Sequence, residues 1–182
     1  MKGLEFTVAE IPEGDLVIRE LQISPSDIGL MGEDFKTVSP VHSHIQFLRR
    51  NQNIYTKAQF STSLVVECRR CIESLETEIV ADVELQFCQV DDPEKMDPRL
   101  IDAGERHYSD EVIDLSEDAC QGLVLEIPVW PLCSESCKGL CASCGTNLNT
   151  NNCDCHDASE SSSPFSALSD LWSEKMEDKQ RL

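Results

Sequence analysis

Six of the ten cysteines fall within the 23 residues from Cys133 to Cys155, at positions 133, 137, 141, 144, 153 and 155. Cys68 and Cys71 form a further C-x-x-C pair upstream. Nothing else in the chain restricts the fold so strongly, because thiols clustered this closely must be met together by a metal, a disulfide or a redox cycle. Zn2+ takes four thiolates or imidazoles in a tetrahedron, with sulfur at about 2.3 Å, and C-x-x-C lets two ligands from one tight turn reach one ion. Cys141-Ala-Ser-Cys144-Gly145 fits a zinc knuckle, since the glycine after the second cysteine frees backbone amides to bond the sulfurs. Cys153 and Cys155 return after a short loop, so Cys141, Cys144, Cys153 and Cys155 make one complete site.

Cys68, Cys71, Cys133 and Cys137 remain. The preferred pairing is a second four-cysteine site that pins the module to the rest of the fold. Eight thiols permit other partitions, including one site with spare cysteines, and His156 is a further ligand ranked below the cysteines. One or two structural zinc ions are therefore expected. Iron–sulfur ligation also suits four cysteines, but the knuckle spacing favours zinc. A thioredoxin-like dithiol is the weaker alternative. Neither C-x-x-C opens a helix after a strand in a βαβ unit, the setting that lowers a thiol pKa in that fold.

Compartment decides between ligands and disulfides. The N-terminal residues lack the apolar core and small-residue cleavage site of a signal peptide and are too acidic for a transit peptide. No run approaches a membrane span. The expectation is a cytoplasmic protein in a reducing compartment, where clustered cysteines read as metal ligands.

The chain in order gives a mainly β (α+β) fold. Short strands are expected between residues 4 and 23, and Ser24-Pro25-Ser26-Asp27 starts a loop or helical turn. Val41, Ser43, Ile45 and Phe47 then alternate with polar positions, and residues 50–53 form a turn. Ile54, Thr56, Ala58, Phe60, Thr62, Leu64, Val66 and Cys68 share one face of a second strand. Leu75, Thr77, Ile79, Ala81, Val83, Leu85 and Phe87 do so on a third, and Cys88 beyond them is read as structural.

Strands this long curl, which predicts a curved antiparallel meander or half-open barrel. Residues 91–110 read as a mobile loop holding His107. Residues 111–115 form a short strand, and a helix runs over 116–127, capped by Ser116 and ended by Pro128. Ala119, Cys120, Leu123, Val124 and Ile127 make its apolar stripe, with Cys120 a small core residue.

The domain reading is an antiparallel β domain with one packed helix (1–130), a cysteine-rich zinc module (131–156), a linker (157–163) and an amphipathic helix with tail (164–182). Phe165, Leu168, Leu171 and Trp172 stand at helical spacing in the last segment, as anchors for the domain or a partner.

The sequence points away from catalysis. It carries no Gly-rich phosphate loop and no nucleophile elbow, and His42 and His44 lie on a solvated strand face. The formal net charge of -19 repels bare nucleic acid. Within it, residues 36–72 hold Lys36, Arg49, Arg50, Lys57, Arg69 and Arg70 against Glu67 alone. Acids of the third strand can offset that window through cross-strand pairs. Arg69 and Arg70 project from the turn beside a zinc site and are the leading phosphate-contact candidates, with Arg49 and Arg50 behind them.

Four ordered motifs resemble the YceD family: Leu64-Val-Val-Glu-Cys68-Arg-Arg-Cys71, the run from Glu111 through Pro128 to Cys133, Cys137 through Asn149, and Pro164-Phe-Ser-Ala-Leu168. The resemblance implies a noncatalytic factor in accumulation of large-subunit ribosomal RNA, acting on the RNA precursor or on ribosomal proteins, with neither a membrane nor a small-molecule substrate. Two modes of action stay open: RNA contact through the arginine turn, or an acidic module that chaperones a basic ribosomal protein.

Overall fold

The computed structural model describes residues 3–90, 105–108 and 111–155. The chain divides into two compact units, one of Met1–Arg69 with Glu73–Cys133 and the other of Arg70–Ile72 with Ser134–Leu182.

The first unit is built on β4 (Val41–Arg50), β5 (Asn53–Glu67) and β6 (Ser74–Gln89), which pair antiparallel in sequence order. The period-two pattern is what fixes their register. Every inward position of β5 from Ile54 to Val66 is buried, and Phe47, Ile54, Phe60 and Leu64 have no exposed surface. Slipping the register by one residue would turn this whole apolar set to solvent. Asn51 and Gln52 alone link β4 to β5, with Asn51 at φ 55°, a left-handed conformation that asparagine tolerates.

β2 (Leu16–Ile23) adds antiparallel to the outer edge of β4. β3 (Phe35–Thr37) follows a short 3-10 turn at Pro25–Ile28 and pairs with β5 beyond the end of β4. The six-stranded sheet is open, with order β2-β4-β5-β6-β7 and β3 off that path.

β7 (Glu105–Tyr108) lies inside the stretch expected to be a mobile loop, and it pairs parallel to β6. The sheet is therefore mixed rather than purely antiparallel, and His107 sits on a strand. Four residues are too few to show periodicity. Their anchor is tertiary: Arg106 Nη2 donates to Asp118 Oδ1 at 2.6 Å, and Asp118 is 8% exposed.

β1 (Glu5–Thr7) and β8 (Val112–Asp114) make a separate antiparallel pair. α1 (Ser116–Leu125) follows β8 and lies on β6, where Gly122 allows the close approach. A Cβ there would come 3.0 Å from Val83 Cγ2 and 3.3 Å from Ala81 Cβ. Ala119 and Leu123 are fully buried, but Val124, assigned to the same stripe, is 46% exposed. Ser116 does not cap the helix. The Asp114 carboxylate takes that role, accepting the Ser116 N–H at 2.8 Å, while the Ser116 hydroxyl is buried with no hydrogen bond among the described residues.

No described helix is long and apolar enough to cross a membrane.

Candidate metal centres

Among its described residues the second unit buries little apolar surface, so their order rests on backbone hydrogen bonds around the cysteines. Leu140 bridges to Asn147, and the Leu148 N–H donates to Gly139 O at 2.9 Å. Inside that ladder the Cys141 N–H donates to Thr146 O at 2.8 Å and the Gly145 N–H to Cys141 O at 2.9 Å. Closing the loop this tightly needs a left-handed residue after Cys144, and Gly145 supplies it at φ 73°. The result is a knuckle that carries Cys141 and Cys144.

Cys153 and Cys155 complete the set: the Sγ atoms of Cys141, Cys144, Cys153 and Cys155 all lie within 4.8 Å of one another. A tetrahedral zinc with four thiolates places sulfurs about 3.8 Å apart. The donor set fits the ion.

Protonation in this cluster is uneven, as expected of thiols that share protons. The Thr146 hydroxyl and amide stabilise the Cys144 thiolate and bring its pKa to about 6, whereas the neighbouring Cys144 sulfur drives Cys155 to about 12. The Cys144 and Ser143 amides lower Cys141, and Cys141 in turn raises Cys153. A bound cation replaces the shared protons and levels these differences.

The other cysteines are positioned unit by unit. In the first unit, β5 ends in buried Cys68, whose N–H donates to Glu73 O at 2.9 Å. This is the same five-residue span as the Cys141 to Thr146 bond. The Arg69 N–H donates to Pro131 O at 2.9 Å, and the sulfurs of Cys68 and Cys133 fall within 4.8 Å. In the second unit, the Arg70 carbonyl accepts the Leu140 N–H at 3.1 Å, and the sulfurs of Cys71 and Cys137 fall within 4.8 Å. Ile72 then takes φ 61°, where the other knuckle has Gly145. A β-branched residue there is a strained outlier held by its surroundings.

Sequence reading missed Asn149 altogether and did not foresee the bonds that Arg70 makes within this region. Asn149 Nδ2 donates to Cys137 Sγ at 3.3 Å, and its Oδ1 accepts the Lys138 N–H at 2.8 Å. Arg70 Nη1 donates to the carbonyls of Glu135 at 3.1 Å and Cys137 at 3.0 Å. Gly139 makes room for that turn, since a Cβ would stand 3.0 Å from the Arg70 carbonyl oxygen on a backbone at φ 76°. The signal for Asn149 was its place at the end of the Gly-Thr-Asn-Leu-Asn run.

The basic candidates do not converge. Arg49 stands opposite Ile54 and Arg69 just past the other end of β5, so about 13 residues of strand, roughly 40 Å, separate them. Lys57 is paired with Glu84 at 2.7 Å across the sheet, as the cross-strand reading expected. Cys88 makes contacts of 3.3 Å with Gln86 Nε2 and Glu105 Oε1, and burial raises its pKa. Cys120 is partly buried and packs against the core, and burial raises its pKa too. His156, Phe165, Leu168, Leu171 and Trp172 lie outside the described residues.

Residues 56–172 match the family model described as large ribosomal RNA subunit accumulation protein YceD. The chain is 27% identical to the chloroplastic YCED homolog 1 of Zea mays, covering 85% of this chain and 64% of that protein. Identity to the Arabidopsis thaliana homolog of the same name is 25%, over 68% and 46%. An uncharacterized protein of Mycobacterium leprae is 23% identical over 75% and 62%. The chain thus spans about half to two-thirds of the length of these curated relatives. No solved structure matches it. With the match running from β5 through both C-x-x-C turns and beyond the cysteine cluster, the chain belongs to the YceD family.

Proposed function

We propose that this chain is a noncatalytic factor for the accumulation of large-subunit ribosomal RNA and assembly of the large ribosomal subunit. The observation that carries the reading is the family match over residues 56–172. Structural zinc holds the cysteine-rich unit at Cys141, Cys144, Cys153 and Cys155, and a second ion takes Cys68, Cys71, Cys133 and Cys137. Support for two ions is the repeated knuckle, with its N–H to carbonyl bond spanning five residues from the first cysteine. Zinc there supplies a cross-link that residues 134–155, with little apolar burial, do not obtain from a core.

The test is depletion of the protein from its own cell. The ratio of large- to small-subunit ribosomal RNA should fall, and wild-type protein but not Cys144→Ser should restore it. An unchanged ratio on depletion would end this reading.

For the contact itself, Arg69 leads the RNA alternative, with Arg70 beside it giving one guanidinium nitrogen, Nη1, to backbone carbonyls. A second reading, an acidic module that holds a basic ribosomal protein, is favoured by the net charge of -19. Ribosomal proteins recovered with the tagged chain after nuclease treatment would support it. Their loss on nuclease treatment would leave RNA as the contact.

A further inference from the structure

The first unit carries a cleft of about 530 Å³ between the β3–β5 pairing and the segment that follows α1. Apolar side chains line both sides, Phe35, Val65 and Val66 on one and Val124, Ile127 and Val129 on the other, interspersed with charged and polar residues. The wall is unusually open to solvent. Val129 is 88% exposed and Val124 46%, and in the same segment Leu125 and Trp130 are 83% and 66% exposed. Four large apolar side chains exposed within seven residues exceed the scatter expected on a soluble surface and mark a face that another molecule covers.

The charges around the cleft say what kind of molecule. Glu33, Asp34 and Glu67 line it, Glu76 stands directly opposite Val65 in the β5–β6 register, and Glu126 lies in the exposed segment. None of these five carboxylates forms an ion pair among the described residues. In the lining itself three carboxylates face two cations, Lys36 and Arg69, and Glu76 and Glu126 beside it extend the acidic excess. Apolar walls within an acidic surround suit a polypeptide that presents aliphatic anchors flanked by lysine or arginine better than they suit a polyphosphate.

We propose that this cleft is a docking site for a basic, apolar-anchored segment of a partner protein. It deepens the protein-contact reading above and rests on that reading only for the partner being a ribosomal protein.

The probe is a synthetic peptide about 18 residues long, with leucines at i, i+3, i+4 and i+7 spacing and lysines elsewhere, labelled for fluorescence anisotropy against the full chain. The peptide should bind, and its counterpart with glutamate for lysine should not. Val129→Asp should weaken binding at least about tenfold. Since it adds negative charge, general attraction to an acidic protein would leave binding unchanged or tighter, and either result overturns the proposal. Glu33→Lys with Asp34→Lys should also weaken binding and flatten its salt dependence.

Both variants change exposed residues, and circular dichroism would show the fold retained. Three further results would overturn the proposal: displacement of the probe by a peptide of residues 164–182, displacement by single-stranded RNA, or a dimer in sedimentation that Val129→Asp dissociates. Binding is read without reference to ribosomal RNA levels, so failure here and failure of the ribosomal reading remain distinguishable.

Discussion

The two C-x-x-C turns make the same knuckle from different materials. In each, the N–H of the first cysteine donates to a carbonyl five residues on, at 2.9 Å from Cys68 and 2.8 Å from Cys141, and the residue after the second cysteine is left-handed. At Cys141–Gly145 that residue is glycine, which adopts φ 73° freely. At Cys68–Ile72 it is isoleucine at φ 61°, a conformation that costs about 1–2 kcal/mol for a residue with a Cβ.

The difference follows from what surrounds each turn. The Cys68 turn joins the two longest strands of the sheet, whose pairing from Asn53 to Ser74 fixes where the chain must reverse. The Cys141 turn closes a short loop on the bonds of Cys141 to Thr146, Gly145 to Cys141 and Leu148 to Gly139, where the same strain would not be held.

The largest test of this comparison is removal of the metal. Native mass spectrometry should find two zinc ions in the wild type and one in Cys144→Ser or Cys71→Ser. Chelation should abolish amide protection in residues 134–155 while β4, β5 and β6 stay protected. Structural zinc contributes on the order of 10 kcal/mol at pH 7 in small domains, far more than any side chain in this unit. A single ion in the wild type would leave the Cys68 knuckle without metal.

Next in size is Asn149→Ala. It removes both the donor to Cys137 Sγ and the acceptor of the Lys138 N–H. Loss of such an outer partner lowers metal affinity by about 10–100-fold, which competition with a chromogenic chelator would measure.

Exchanging the left-handed residues tests the strain directly. Gly145→Ile should cost about 1–2 kcal/mol, whereas Ile72→Gly should gain up to about 1 kcal/mol, the entropy of glycine taking back part of the relief. Thermal unfolding with zinc present gives the sign of each.

The two arginines of the Cys68 turn should then separate. Arg70→Ala loses bonds to the Glu135 and Cys137 carbonyls and should destabilise by about 1–3 kcal/mol. Arg69→Ala, at an exposed side chain, should stay within about 0.5 kcal/mol.

The smallest effect concerns protons. In stripped protein, where residues 134–155 lose protection, alkylation of Cys144 should reach half its maximal rate near the ordinary thiol value of about 8.5. A midpoint near 6, which the Thr146 hydroxyl and amide give Cys144 in the folded turn, would show that the turn survives without metal.

Much of the fold was legible because alternation leaves little choice. Once Ile54 through Cys68 share a face, only one register with β4 and β6 buries them, and the turn at Asn51 and Gln52 follows. β7 was not legible: its four residues, Glu-Arg-His-Tyr, carry no pattern, and what holds Arg106 is the Asp118 carboxylate on α1, twelve residues away. The helix cap was misread for a related reason. Ser116 is a good cap residue in isolation, but the end of β8 brings the Asp114 carboxylate to its N–H first.

At the candidate metal centres, the sequence by itself determined the ligand type and the turns that carry it, because C-x-x-C spacing and a following glycine are local properties of a few backbone angles. Only the tertiary structure decided that Arg70 Nη1 reaches the carbonyls of Glu135 and Cys137. It likewise set Arg49 and Arg69 at opposite ends of a long strand, and left Val129 and Trp130 open to solvent. These are matters of distance across the fold, set by which strands pair and where a segment is laid down, and no local propensity encodes them.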